Sequence, residues 1–353
     1  MLTRTERRVH HRRRRRGLAI FLSFTLLTAA ILFGAFQLAN RNRPPPVRPG
    51  QPVTVTVVSG EDTREVADSL EGLGVIDNAG RFRRLAEQRG LDAALRPGSY
   101  RLTTGMSQEQ VLDILVKGPN TRSLTIPEGF TQRQIADRLA TVGHFDRAEV
   151  LRALHDPRLE SPYRPSGKPL EGLLFPLTYQ IGQDDTPTTV VQAMLDQLQL
   201  VLSKYDLAAA RPAGVRLTPY QILTVASLIE AEAKVPGDRP KIAAVIYNRL
   251  KRDIPLQIDP TVQYAWALRG HPKPRLGLAD LRIGSPYNTY RLRGLPPTPI
   301  DSPGEQSIRA ALQPASADWL YYVVVGRDGH HAFTASYQQF LELKRKAKSL
   351  GVA

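Results

Sequence analysis

Thr218 to Lys234 reads TPYQILTVASLIEAEAK. Thr218 and Gln221 stand at the spacing of a capping box, with Pro219 at the first helical position, so the start of a helix is well marked. The run from Ile222 to Ile229 carries no charge and ends abruptly in two carboxylates, Glu230 and Glu232. On a wheel of ~100° per residue, Val225, Ile229 and Glu232 share one side, and Glu230 points about 200° away from Glu232. Glu230 lies four residues before Lys234, the favourable order for a helical ion pair, and reads as a solvated or supporting partner. Glu232 sits in the apolar stripe. A Glu isolated by burial keeps its proton, because desolvation disfavours the charge, and such a group suits general-acid work near neutral pH, for instance on a glycosidic oxygen. The alternative on spacing alone is a surface Glu where the helix ends.

Downstream lie Asn248-Arg249-Leu250, then Leu256-Gln257-Ile258-Asp259-Pro260-Thr261. Next come Ser285-Pro286-Tyr287-Asn288-Thr289-Tyr290, Gly294-Leu295-Pro296-Pro297 and Gly329 to Phe333. These blocks supply amides and phenols for a cleft. Ser285 to Tyr290 also fits a turn leading into a strand, and Asn248 divides evenly between helix-end capping and a site role. Helices are predicted at 187–204, 218–233, 238–252, 303–313 and 336–348. Strands are predicted at Leu256 to Ile258, Thr289 to Arg293, Trp319 to Val325 and His331 to Thr334, with Asp328-Gly329 turning the last hairpin. There is no cysteine, and the seven histidines show no H-x-x-x-H spacing, so no disulfide, thiolate site or metal centre is expected.

Toward the N-terminus, Gly17 to Asn40 carries no charge, and Leu18 to Leu38 makes about 30 Å of helix, enough to cross a bilayer. Eight arginines precede it (Arg4, Arg7, Arg8 and Arg12 to Arg16), which places the N-terminus in the cytoplasm and the bulk of the chain outside it. A cleaved signal peptide is the lesser alternative, since the apolar core exceeds the ~7–15 residues usual for one and no clean small-x-small site ends it. An arginine run abutting a span argues against nucleic acid as partner. Of the net charge of +15, the tail contributes +7 (eight arginines less Glu6), leaving +8 for the rest. That balance fits an anionic surface or polymer, or ordinary colloidal charge.

Pro44 to Gly50 reads as a stiff spacer. After it an order of elements occurs twice, 69 residues apart. Val55-Thr56-Val57 is a strand, Asp62 a cap, and Val66, Ala67 and Leu70 a helix face. Leu124-Thr125-Ile126, Thr131, and Ile135, Ala136 and Leu139 repeat it. Phe82 and Leu85 match Leu151 and Leu154 on a second helix, and Gly98 to Leu102 closes the first copy. The first copy resembles a LysM-type βααβ glycan-binding module; packing scaffolds are the equal alternative.

From Leu170 to about Phe333 the chain resembles the endolytic murein transglycosylase family (YceG-like, the MltG group). The E-x-E helix end, N-R-L, L-Q-x-D-P-T, S-P-Y-N-T-Y, G-L-P-P-x-P-I and G-x-H-x-F occur in family order, and the anchor and LysM-like region extend the likeness to nearly the whole chain. The resemblance implies Glu232 as the catalytic acid. It implies cleavage of glycan strands between N-acetylmuramic acid and N-acetylglucosamine without water, leaving 1,6-anhydro ends on nascent strands and so terminating elongation. One carboxylate serves as acid and then base, so no second acid at the ~5–9 Å of ordinary glycosidases is needed. Gln257, Asn288, Tyr287 and Tyr290 are candidates for binding substrate and stabilising the transition state, with Asp259 as an orienting carboxylate. Glu230 and Asn248 are supporting candidates. Two departures stand out: Leu173 and Leu177 replace a family Trp and Asp, and Tyr337-Gln338-Gln339-Phe340 stands where an acidic residue and a His are common.

The expected fold is α+β. A cytoplasmic tail spans 1–16, a transmembrane helix 17–39 and a Pro-rich linker 40–51. A LysM-like module follows at 52–118, a second strand–helix–helix unit at 119–156 and a mixed α+β YceG-like catalytic domain at 170–353. The resemblance implies a single-pass protein of the bacterial inner membrane acting on peptidoglycan, with cell-wall synthases such as penicillin-binding proteins as partners and no cofactor. A non-catalytic glycan-binding scaffold is the second reading, and a muramidase that uses water the third.

Overall fold

The computed structural model describes residues 48–91, 94–207 and 209–351. The basic tail, the apolar stretch 17–39 and most of the spacer lie outside them. Among the described residues no helix is long and apolar enough to cross a membrane. One compact unit ends at Pro119, and a second runs from Asn120.

In the first unit, β1 (Pro52–Val57) leads to α1 (Thr63–Gly72) and α2 (Ala79–Gln88), and β2 (Gly98–Thr103) returns antiparallel to β1 with Val55 opposite Tyr100. Asp62 caps α1 in a capping box with Glu65, and Asn78 caps α2. A further helix, α3 (Gln108–Lys117), completes the unit; its Val111, Leu112 and Leu115 join Val55, Phe82, Tyr100 and Leu102 in one buried core. Period-two strands and 3.6-period helices each turn one apolar face to that core.

The second unit opens with the other copy of the repeat: β3 (Thr121–Thr125), α4 (Gln132–Thr141) and α5 (Arg147–Ala153). Here the copy does not close on itself. β3 pairs with β4 (Thr178–Gly182), a strand beyond the Pro/Ser/Gly-rich connection, with Leu124 opposite Tyr179. Leu124, Ile135 and Leu139 enter the same core as Leu173, Leu174 and Ile222, so residues 119–156 are built into the larger unit rather than standing apart. Gly172 makes the bend after Leu170 possible: its φ is +76°, and a Cβ there would sit 2.2 Å from the Pro299 side chain.

The remaining elements are α6 (Pro187–Leu202), α7 (Pro219–Glu232), α8 (Arg239–Lys251), α9 (Asp259–Leu268), α10 (Glu305–Leu312), the antiparallel hairpin of β5 (Tyr321–Val324) and β6 (His331–Thr334), and α11 (Tyr337–Ser349). The five helices predicted in this region fall within about two residues of those observed. The strands predicted at Leu256 to Ile258 and Thr289 to Arg293 are absent. Gln257 takes a left-handed φ of +54°, which breaks extended geometry, and Asn288 O accepts turn bonds from the N–H groups of Arg291 and Leu292. The two segments still meet: Gln257 N donates to Thr289 O (3.0 Å), and Ile258 N to Thr289 Oγ1 (3.0 Å). Asp328-Gly329 turns the hairpin within a longer loop, with Gly329 at φ +85°.

α7 is the buried axis of this unit. Every residue from Ile222 to Ile229 is buried, and α8, α9 and α10 pack around it. Thr218 and Gln221 form the capping box read from the sequence. Together they fix where the helix emerges at Glu232.

Candidate active site

α7 ends at Glu232; the next residue, Ala233, is extended. The Glu232 carboxyl therefore stands at the negative end of a buried helix, where an anion is disfavoured. It opens into a cleft of about 650 Å³ lined among others by Arg249, Gln257, Asp259, Tyr290, Tyr321, Tyr322 and His331. Burial, reinforced by the Asp259 carboxylate, pushes Glu232 up to about 7, against the opposing effects of a Tyr322 hydrogen bond and Lys234. Near neutral pH the acid is thus poised to give its proton to a bound group.

Several elements supply the walls. β5 brings Tyr322 onto Glu232, and burial first, then the Glu232 charge, holds this phenol protonated well above its usual range. The N-terminus of α9 brings Asp259, whose Oδ1 accepts the Tyr290 hydroxyl at 2.5 Å. α8 brings Arg249, which acts as a latch. Its Nε donates to Leu320 O (2.6 Å), and its Nη1 to Pro255 O (3.1 Å), Leu256 O (2.7 Å) and Gln257 Oε1 (3.4 Å). The same guanidinium lies 5.3 Å from the centre of the Tyr321 ring. A buried cation thereby pins the left-handed Gln257 turn to the start of the hairpin. His331 closes the far side. Its N–H donates to Asp238 Oδ2 (2.7 Å), its Nδ1 stands 3.2 Å from the same oxygen, and burial holds the imidazole below its usual range, hence neutral at pH 7.

Of the residues singled out from sequence, Glu232, Gln257, Asp259 and Tyr290 meet in this cleft. Asn288 does not: it is fully buried, and its amide donates to Leu281 O (2.9 Å) and Ile283 O (2.8 Å), so it shapes the loop that carries Tyr290. Tyr287 also turns elsewhere, its hydroxyl on Thr298 Oγ1 (2.9 Å) and its ring edge-on to Tyr264. Asn248 is an anchor rather than a cap, donating to Ala317 O (2.7 Å) and Trp319 O (3.0 Å).

Glu230 is neither solvated nor paired with Lys234. Its carboxylate meets Arg239 Nη2 at 3.4 Å and accepts Gly304 N–H at 3.1 Å. Because the helix stops at Glu232, Lys234 is no longer one turn away, and its charge acts on Glu232 instead. Leu173 is buried in the core and Leu177 is exposed, so neither lines the cleft. Arg249, Tyr322 and His331 were not singled out as site residues. Arg249 and His331 lay inside the quoted N-R-L and G-x-H-x-F blocks, while nothing local marks Tyr322 beyond its place on a strand.

A second cavity, about 740 Å³, holds Glu128, Glu230 and Asp301. Burial raises Asp301 well above the carboxylate range and raises Glu128 as well, helped in both by Glu230. Glu171, pushed up to about 7 by burial, is committed to Tyr264 Oη and Gln132 N–H, both at 2.7 Å. No group of His, Cys, Asp and Glu among the described residues is arranged to hold a metal ion. In the first cleft a helix-end acid near neutrality meets a phenol and a second carboxylate.

Residues 55–346 match the YceG-like family model. The chain belongs to the YceG-like family. An endolytic murein transglycosylase of Bacillus subtilis (strain 168) is 33% identical over 311 residues, covering 83% of this chain and 84% of the relative. One from Streptococcus pneumoniae (serotype 2, strain D39) is 33% identical over 342 residues, covering 88% of this chain and 61% of the longer relative. A 2.6 Å crystal structure of a YceG-like protein from Listeria monocytogenes superposes with a TM-score of 0.56 at 33% identity, covering 83% of this chain and 99% of that one. The mixed α+β architecture is thus that of the family.

Proposed function

We propose that this YceG-like chain is an endolytic murein transglycosylase, a lyase acting on peptidoglycan, with Glu232 as its acid. The observation that carries the reading is the Glu232 carboxyl, half-buried at the end of α7, held near neutrality and lining a polar cleft together with Tyr322 and Asp259. The relatives' shared name points to the same chemistry.

In the proposed reaction, Glu232 gives its proton to the oxygen bridging N-acetylmuramic acid C1 to N-acetylglucosamine. The C1–O bond breaks with oxocarbenium character. The muramic C6 hydroxyl closes on C1, and its proton returns to Glu232. The atoms balance with no water consumed, and the product is a 1,6-anhydro end. Asp259, oriented by Tyr290, provides negative charge beside the developing cation and keeps Glu232 protonated beforehand. Arg249 fixes Gln257 at the cleft wall, where its amide is available to sugar hydroxyls.

In the same proposal the stretch 17–39 is a single membrane span with the N-terminus cytoplasmic. The 52–118 module is a LysM-like glycan binder, nascent strands are the substrate, and penicillin-binding synthases are the partners whose elongation is cut short. Asp259 also favours a second reading, a muramidase in which this carboxylate activates water. Mass spectrometry of strands digested by the purified chain tests both: anhydro ends support the lyase, reducing ends the hydrolase, and intact strands refute both.

A further inference from the structure

The Glu232 cleft has a wall that the proposed chemistry leaves unused. Tyr337, Phe340 and Lys344 stand at i, i+3 and i+7 on α11, so they share one face, and all three line the cleft. The Phe340 ring stacks on Tyr321, centroids 5.3 Å apart and planes 25° apart, while Tyr337 lies 5.5 Å from Tyr321 and 6.1 Å from Phe340. Tyr321 in turn rests against the Arg249 guanidinium, which is anchored to three backbone carbonyls. The cluster is therefore held from behind by the catalytic unit's own latch. Its front is open: Tyr337 is 58% exposed, and Lys344 is exposed beside it.

We propose that Tyr337 and Phe340, backed by Tyr321, form a platform for one hexopyranose ring of the glycan strand, and that Lys344 selects a ring whose attached peptide carries a carboxylate. A pyranose presents C–H groups on one face and hydroxyls at its edge. The face needs a flat apolar partner rigid enough that little order is lost on binding, which stacked aromatics provide. The edge needs polar groups, which the cleft supplies in Gln257 and Arg249. A cation on the same helical face adds a preference for a muramic ring, whose lactyl group carries the carboxylates of the stem peptide, over a neutral N-acetylglucosamine ring. This platform rests on the glycan reading above and extends it. It assigns specificity to α11.

The test uses the full-length chain carrying Glu232→Gln, so that binding is read without cleavage, titrated by calorimetry with an uncrosslinked murein hexasaccharide and with neutral chitohexaose. Adding Tyr337→Ala is expected to weaken binding of both about tenfold, and Phe340→Trp to retain it. Lys344→Gln is expected to lower affinity for the murein hexasaccharide alone, by about threefold at low salt. In the active chain, Tyr337→Ala raises KM about tenfold and moves kcat less than twofold, as lost uniform binding requires. Thermal unfolding of each variant guards against misfolding. If Glu232→Gln binds the murein hexasaccharide and Tyr337→Ala does not weaken it, the platform is wrong while the glycan reading stands. If Glu232→Gln binds neither sugar, both fall.

Discussion

In the proposed reaction Glu232 must keep its proton until a substrate oxygen arrives, and burial together with the Asp259 charge holds that proton. Replacing Glu232 by Gln preserves shape and hydrogen bonding but removes the proton. Strand cleavage should fall at least ~10²-fold, measured by product release from purified glycan. Glu230→Gln should lose far less activity, because its partners are Arg239 and the Gly304 N–H rather than the cleft, and its effect should appear mainly in thermal stability. The pH dependence follows from the same proton. With Glu232 at about 7, activity should fall as pH climbs past 7 and the carboxyl ionises. Stability carries the same sign. The folded chain holds this proton up to about 7 and the unfolded chain only to its ordinary 4.5, so the contribution is complete below about 4.5 and lost as pH rises through 7. Glu232→Gln escapes that loss. It should be more stable than the parent at pH 8, by about 1–3 kcal/mol, with the gap closing toward pH 4.5. Equal melting temperatures at pH 8 would show that burial does not hold the proton. The wheel separated Glu232 from Glu230 because helical geometry is local. It misjudged the partner of Glu230, because the helix end that removes Lys234 and the chain segment that delivers Gly304 are both tertiary facts.

At the scale of elements, the cleft depends on segments that are not regular. α7 was legible from end to end, having a capping box, a proline and an uncharged run, and the hairpin was legible from its β-branched and aromatic residues. The strands expected at Leu256 to Ile258 and Thr289 to Arg293 looked like strands because Ile258, Thr289 and Tyr290 favour extended backbone. What won was the Arg249 latch and the left-handed Gln257, neither of which leaves a local trace. The same blindness put Asn288 in the cleft: an amide's two protons serve buried carbonyls as well as they serve a sugar. β4 was missed because its partner, β3, is 53 or more residues earlier in the chain. Gly172 ties these pieces together. Its +76° φ and the Pro299 side chain against its missing Cβ leave no room for alanine. Gly172→Ala should destabilise the second unit by roughly 3 kcal/mol or more, read by denaturant unfolding, since neither the backbone nor a proline ring can yield cheaply.

At the scale of the whole molecule, the chain pairs two compact units with an N-terminal stretch that the sequence alone interprets. If 17–39 spans the membrane, the spacer between residues 40 and 51 reaches at most ~40 Å when extended, and its prolines favour extension. An enzyme so held should cut growing strands at a limited distance from their membrane-held end. Removing residues 1–40 should leave the chemistry intact and broaden the product lengths, as seen by chromatography of products from anchored nascent strands. Identical length distributions would shift that role to the 52–118 module. All of this presupposes a cut made by one protonated carboxyl without water, and a digestion of uncrosslinked glycan strands in ¹⁸O-labelled water, by the full chain and by Glu232→Gln, tests that claim most directly. Mass spectrometry should find 1,6-anhydro ends free of ¹⁸O from the parent chain and uncut strands from the variant; reducing ends carrying ¹⁸O, or undiminished cutting by Glu232→Gln, would contradict it.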